Sequence, residues 1–196
     1  MTHQVYEFEP PERFVAGTVG PPGERTFYLQ ARGGGRLISV ALEKVQVTLL
    51  AEKLDELLGE ASRRFGMTLP PPSSEPPDNE PLDNPIEEEF RVGTLGLAYD
   101  VDTSTVVIEA IAVGEADEAD VEDDETGDEE EEDDEDFEVV TADLDRLRVR
   151  LTPTETRKFI ERAKRVIAAG RPPCPLCGQP LDPAGHRCPR LNGYHR

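Results

Sequence analysis

Residues 25–58 read RTFYLQARGGGRLISVALEKVQVTLLAEKLDELL, and their hydrophobic period changes partway through. Phe27, Leu29 and Ala31 alternate with Tyr28 and Gln30, and beyond a three-glycine connection Ile38, Val40 and Leu42 alternate likewise. A period of two marks a strand with one buried face, and two such runs about a glycine turn predict a hairpin. From Lys44 the spacing becomes helical, with Val47, Leu50, Leu54, Leu57, Leu58 and Ala61 on one stripe. Gly66 is placed to cap that helix.

Working outward, Val5–Phe8 and Arg13–Thr18 read as short strands split by Pro10-Pro11, and Gly20–Gly23 (GPPG) forces a turn. Residues 70–85 hold seven prolines and predict an extended linker or surface loop. Phe90–Tyr99 and Thr103–Val113 form a second expected hairpin about Asp100-Val101-Asp102. In Leu144–Leu151, Leu147, Val149 and Leu151 point one way and Arg146, Arg148 and Arg150 the other, predicting a strand with a basic face. Thr152-Pro153-Thr154-Glu155 carries a helix N-cap, a first-turn proline and a capping-box glutamate. The helix is expected to reach about Ala169, with Phe159, Ile160, Ala163, Val166 and Ile167 inward. Arg157, Lys158, Arg162 and Arg165 are expected to face largely outward. The reading is an α+β body over 1–169, an antiparallel sheet or sandwich covered by two amphipathic helices, followed by a small tail over 170–196.

The net charge of −21 on 196 residues is segregated. Residues 115–138 contain 18 acids among 24 positions and no Lys or Arg, whereas Leu144–Arg196 carries 12 basic residues against four acids. A run of adjacent carboxylates with little apolar surface cannot offset about 1–2 kcal/mol per residue of backbone entropy. Residues 114–138 are therefore expected to be a disordered insertion. Its simplest role is to solubilise; its sharper one is to contact a basic partner, or the basic third of its own chain, in competition with nucleic acid. No apolar run approaches the ~18–20 residues of a membrane span, and the N-terminus lacks the pattern of a signal peptide. A cytoplasmic protein without membrane attachment is expected.

All three cysteines fall in the last 23 residues, too few for a disulfide framework. Cys174 and Cys177 form a C-x2-C step, and His186 and Cys188 arrive as a second pair. Three thiolates and one imidazole make a closed tetrahedral set suited to structural zinc and not to magnesium or calcium. The tail has few apolar side chains with which to fold, so a metal would supply on the order of 10 kcal/mol that a core does not. The His-x-Cys spacing is tighter than the usual second knuckle, which leaves His195 as an alternative to His186 for the fourth ligand.

No nucleophile-elbow, Walker A or H-E-x-x-H pattern occurs, and the three histidines, His3, His186 and His195, lie near the ends. No catalytic residue is nominated. PPERFVAGTVGPPGERTFYLQAR, LISVALEKVQVTLLAEKLDELL and PPCPLCGQPLDPAGHRCPRLNGY, in this order, resemble an uncharacterised actinobacterial family, the domain of unknown function 3090. The resemblance implies a cytoplasmic bacterial protein and supplies no activity. The functional expectation is a non-enzymatic binding or adaptor protein with a structural zinc ion and a protein partner. The alternatives are an enzyme or small-ligand binder of unrecognised type, or a nucleic-acid binder gated by the acidic loop.

Overall fold

Gly34 and Gly35 sit at φ +58° and +74°, and Gly33 pairs with Arg36 across them. Two successive positive-φ residues make the tight turn whose twist matches its flanking strands, and glycine reaches that conformation without strain. The hairpin they close joins β3 (Thr26–Gly33) to β4 (Arg36–Leu42). Its register sets Phe27, Leu29 and Ala31 opposite Leu42, Val40 and Ile38, all buried, as the alternation predicts. These strands belong to a computed structural model that describes residues 3–21, 23–71, 76–114, 144–170 and 176.

Helix α1 (Lys44–Phe65) follows at once. The Gln46 side chain reaches back to accept from the Glu43 backbone N–H at 2.8 Å, and Gly66 closes the helix at φ +67°. The remaining strands are β1 (Val5–Phe8), β2 (Arg13–Val19), β5 (Glu88–Asp100), β6 (Thr105–Ala112) and β7 (Arg146–Leu151). Helix α2 (Pro153–Ala168) starts with the expected capping box, in which the Glu155 N–H donates to Thr152 and the Thr152 N–H donates to Glu155.

Among the described residues there is one seven-stranded sheet, ordered β1-β7-β6-β5-β4-β3-β2. It is mixed, not antiparallel as expected. β4 pairs with β5 in parallel, and β1 pairs with β7 in parallel through Val5–Phe8 and Arg146–Val149. The physical reason is α1 itself: a 22-residue helix is long enough to carry the chain back to the starting side, as a parallel neighbour requires. Both helices cover one face. Phe14 of β2 stacks on Phe159 of α2 with ring centroids 4.8 Å apart, and Lys164 of α2 meets Asp55 of α1 at 2.9 Å.

The other face of β2–β4 carries a proline-rich strap, residues 76–86. Strand alternation puts Gly17, Gln30 and Ser39 on this side. Leu82 is only 6% exposed, seated so closely over Gly17 that a Cβ there would lie 2.5 Å from its Cδ2. Gln30, 1% exposed, donates from Nε2 to the Asp83 carbonyl at 3.0 Å and accepts from the Asp83 N–H at 2.7 Å. Its amide also donates to Ser39 Oγ, so these buried polar groups are satisfied. At the opposite end of the strand order, Arg36 donates to the Glu7 carbonyl of β1 at 2.9 Å and lies over the Phe8 ring.

Truncating a buried leucine leaves a cavity, so Leu82→Ala should cost about 2–4 kcal/mol in chemical denaturation. Gly17→Ala alone should cost about 1–3 kcal/mol through overpacking. In the Leu82→Ala background the same glycine change should become nearly neutral, a coupling that a double-mutant cycle reads directly.

Candidate functional site

The sequence nominates Cys174, Cys177, His186 and Cys188, with His195 in reserve, and all five lie outside the described residues. So does the acidic run 115–138. Among the described residues no group of three His, Cys, Asp or Glu side chains is arranged to hold a metal, and no helix is long and apolar enough to cross a membrane. The candidate site that the described chain builds is a cleft of about 280 Å³ between β2, α2 and the start of the strap. Phe14, Leu151 and Phe159 line it on the apolar side, and Arg13, Asp78 and Arg162 on the charged side.

Arg162 corrects a sequence expectation. It was assigned to the outer face of α2, yet it is 6% exposed and every nitrogen of its guanidinium donates within the fold. Nε donates to the Ala16 carbonyl at 2.9 Å, Nη1 to the Asp78 carbonyl at 2.7 Å and to its carboxylate at 2.8 Å, and Nη2 to the Glu80 carbonyl at 2.7 Å. The reason lies in β2. That strand pairs on one side only, so its outward carbonyls need donors from elsewhere. A planar cation with five N–H groups can serve a strand edge and a strap together. Helical periodicity records which face a residue occupies, not that a distant strap will cover its flank.

Asp78 is gripped from a second side. Arg13 donates from Nε to Oδ2 at 3.0 Å and from Nη2 to Oδ1 at 3.2 Å, and Arg165 donates to the Asp78 carbonyl at 3.2 Å. Burial pushes the Asp78 carboxyl up, but the Arg13 hydrogen bond, the Glu80 N–H and the charges of Arg162 and Arg13 outweigh it and hold it below the usual carboxylate range. Burial pulls the Arg162 guanidinium below its ordinary value despite the Asp78 charge. Arg13, Asp78 and Arg162 are thus committed to one another and to the strap.

Two of the three arginines expected on the basic face of β7 are also paired. Arg148 pairs with Glu109 of β6 and, at 3.3 Å, with Glu7 of β1. Arg150 pairs with Glu9 at 2.7 Å and with Asp100 at 2.8 Å. These partners sit on strands, or just past one, far away in sequence, so alternation within β7 could not reveal them. Near the same edge, the Tyr6 hydroxyl donates to Glu89 at 3.0 Å and lies 2.7 Å from the Gln4 side-chain amide. Burial, the hydrogen bond to Glu89 and the negative charges of Glu89 and Asp145 push its phenol up to about 12.

Two titrations test these assignments. A carboxyl held low in the folded state stabilises above its unfolded pKa and loses that contribution as pH falls through the folded value. The stability gap between the wild type and Asp78→Asn should therefore be constant above about pH 5 and shrink below about pH 4, as read by urea midpoints. A phenol held high ionises late. Up to about pH 11, Tyr6→Phe and the wild type should develop nearly equal phenolate absorbance, although only one of them carries all four tyrosines.

No curated protein and no solved structure matches the chain. One family does, described as a protein of unknown function, DUF3090, and the match runs over residues 6–188, from Tyr6 in β1 through Cys188, the last expected thiolate. The chain belongs to the DUF3090 family.

Proposed function

We propose that this chain is a non-enzymatic binding protein of the cytoplasm, with a protein partner and one structural zinc ion held by Cys174, Cys177, His186 and Cys188. The observation that carries the binding reading is the commitment of three of the cleft's charged groups. Arg13, Asp78 and Arg162 bond one another and the backbone of the strap, which is the work of a scaffold. A general acid or base needs a group free to exchange a proton with substrate. The pairing of Arg148 and Arg150 with body carboxylates favours a protein partner over nucleic acid, since arginines neutralised by the fold release no counterions from phosphates. The zinc reading rests on donor chemistry and spacing: three soft thiolates and an imidazole fill a tetrahedron and leave no position for a reacting water.

Native mass spectrometry of the reduced full-length protein tests both parts. The expected mass is the chain plus one zinc, lost when Cys174 and Cys177 are both replaced by Ser. A zinc-free chain overturns the metal assignment. A metabolite recovered in stoichiometric amount on denaturation overturns the non-enzymatic one.

A further inference from the structure

The last turn of α2 ends against the first turn of α1, and a second cleft of about 430 Å³ opens there. Phe27, Val166 and Ile167 form its apolar side, where Val166 and Ile167 remain partly exposed. Arg25 and Lys44 form its other side, and among the described residues no carboxylate lines it. Elsewhere in the body Arg13, Arg91, Arg148 and Lys164 each face a carboxylate. Arg25 and Lys44 have no ion-pair partner among the described residues. The neighbouring Glu43 turns to Arg91 instead, at 3.3 Å. The end of α2 answers part of this charge. Arg25 Nη1 donates to the Ala169 carbonyl at 2.8 Å, and a Cβ on Gly170 would lie 3.6 Å from Lys44 Nζ. A helix C-terminus carries about half a negative charge, so about one and a half positive charges remain unanswered.

We infer that this cleft receives the C-terminal carboxylate of a partner protein whose last side chain is apolar. The inference rests on the protein-partner reading above and names the part of the partner that is held. Charge and shape carry it. A monoanion complements the surplus, and a guanidinium that spends Nη1 on a carbonyl keeps further N–H donors in the planar fork that suits a carboxylate. Lys44 supplies a second, mobile point charge beside it. The side chain attached to that carboxylate would cover Val166 and Ile167 and reach Phe27. A small acid of the same chemistry is ordinarily enclosed over most of its surface. Here Gly23 and Lys44 are exposed, so one side of the cleft stays open for the preceding residues of a longer chain. Capture of a terminal carboxylate is a recurring mode of peptide recognition.

The test titrates the full-length protein with an acetylated peptide ending in Gly-Ser-Gly-Ala-Leu and follows backbone amide resonances. Saturable shifts are expected at Phe27, Val166, Ile167 and Gly170, with a Kd on the order of 1 mM or tighter. Amidating the peptide's C-terminus should weaken binding about tenfold, the scale of one charge-assisted hydrogen bond. Replacing its final leucine by glycine should weaken binding about fivefold. Lys44→Gln should weaken binding about tenfold while leaving the urea midpoint unchanged, because Lys44 is exposed. Equal affinity for acid and amide, or shifts that spare α2 and β3, would overturn the assignment. So would isocaproate, the same carboxylate and side chain without the peptide, if it bound as tightly: the cleft would then belong to a small acid. The first two results leave the protein-partner reading intact, and that reading falls separately to a metabolite recovered on denaturation.

Discussion

The guanidinium of Arg162 is the contact on which the arrangement depends. It gathers a strand-edge carbonyl of β2, the carboxylate and carbonyl of Asp78 and the carbonyl of Glu80 into one hydrogen-bonded knot. A buried cation is costly unless it is paired and its donors are satisfied, and here both conditions hold. Because the knot joins α2, β2 and the strap, it ties a helix on one face of the sheet to a segment that continues across the other. Leu82 and the Gln30–Asp83 pair extend that attachment along the outer face.

Much of the fold is legible in the sequence wherever the determining interactions are local. The glycine turn, the two helices, their caps at Gly66 and Thr152, and the alternation in β3, β4 and β7 all depend on residues within a few positions of each other. Two kinds of feature escape such a reading. One is strand partnership: nothing in Lys44–Phe65 announces that its length will make β4 and β5 parallel neighbours. The other is the fate of charge. Arg148, Arg150 and Arg162 look solvent-facing from their own elements, but Glu7, Glu109, Asp100 and Asp78 approach them from strands and loops about 40–140 residues away. The expected metal ligands rest on spacing alone, because they lie outside the described residues.

These ion pairs change how the chain's charge is understood. The sequence pairs an acidic run with a basic third, which suggests self-contact between them. In the folded body Arg148 and Arg150 are already matched by carboxylates, and Arg162 is enclosed. The 18 acids of residues 115–138 therefore find less free positive charge on the chain's own surface than composition implies.

Arginines also stand at both extremes of the strand order: Arg162 takes the Ala16 carbonyl of β2, and Arg36 takes the Glu7 carbonyl of β1. A peptide that extended the sheet by β-augmentation along the whole of either edge would have to displace a charge-assisted bond. Each of these bonds occupies an edge carbonyl that would otherwise be open to edge-to-edge pairing.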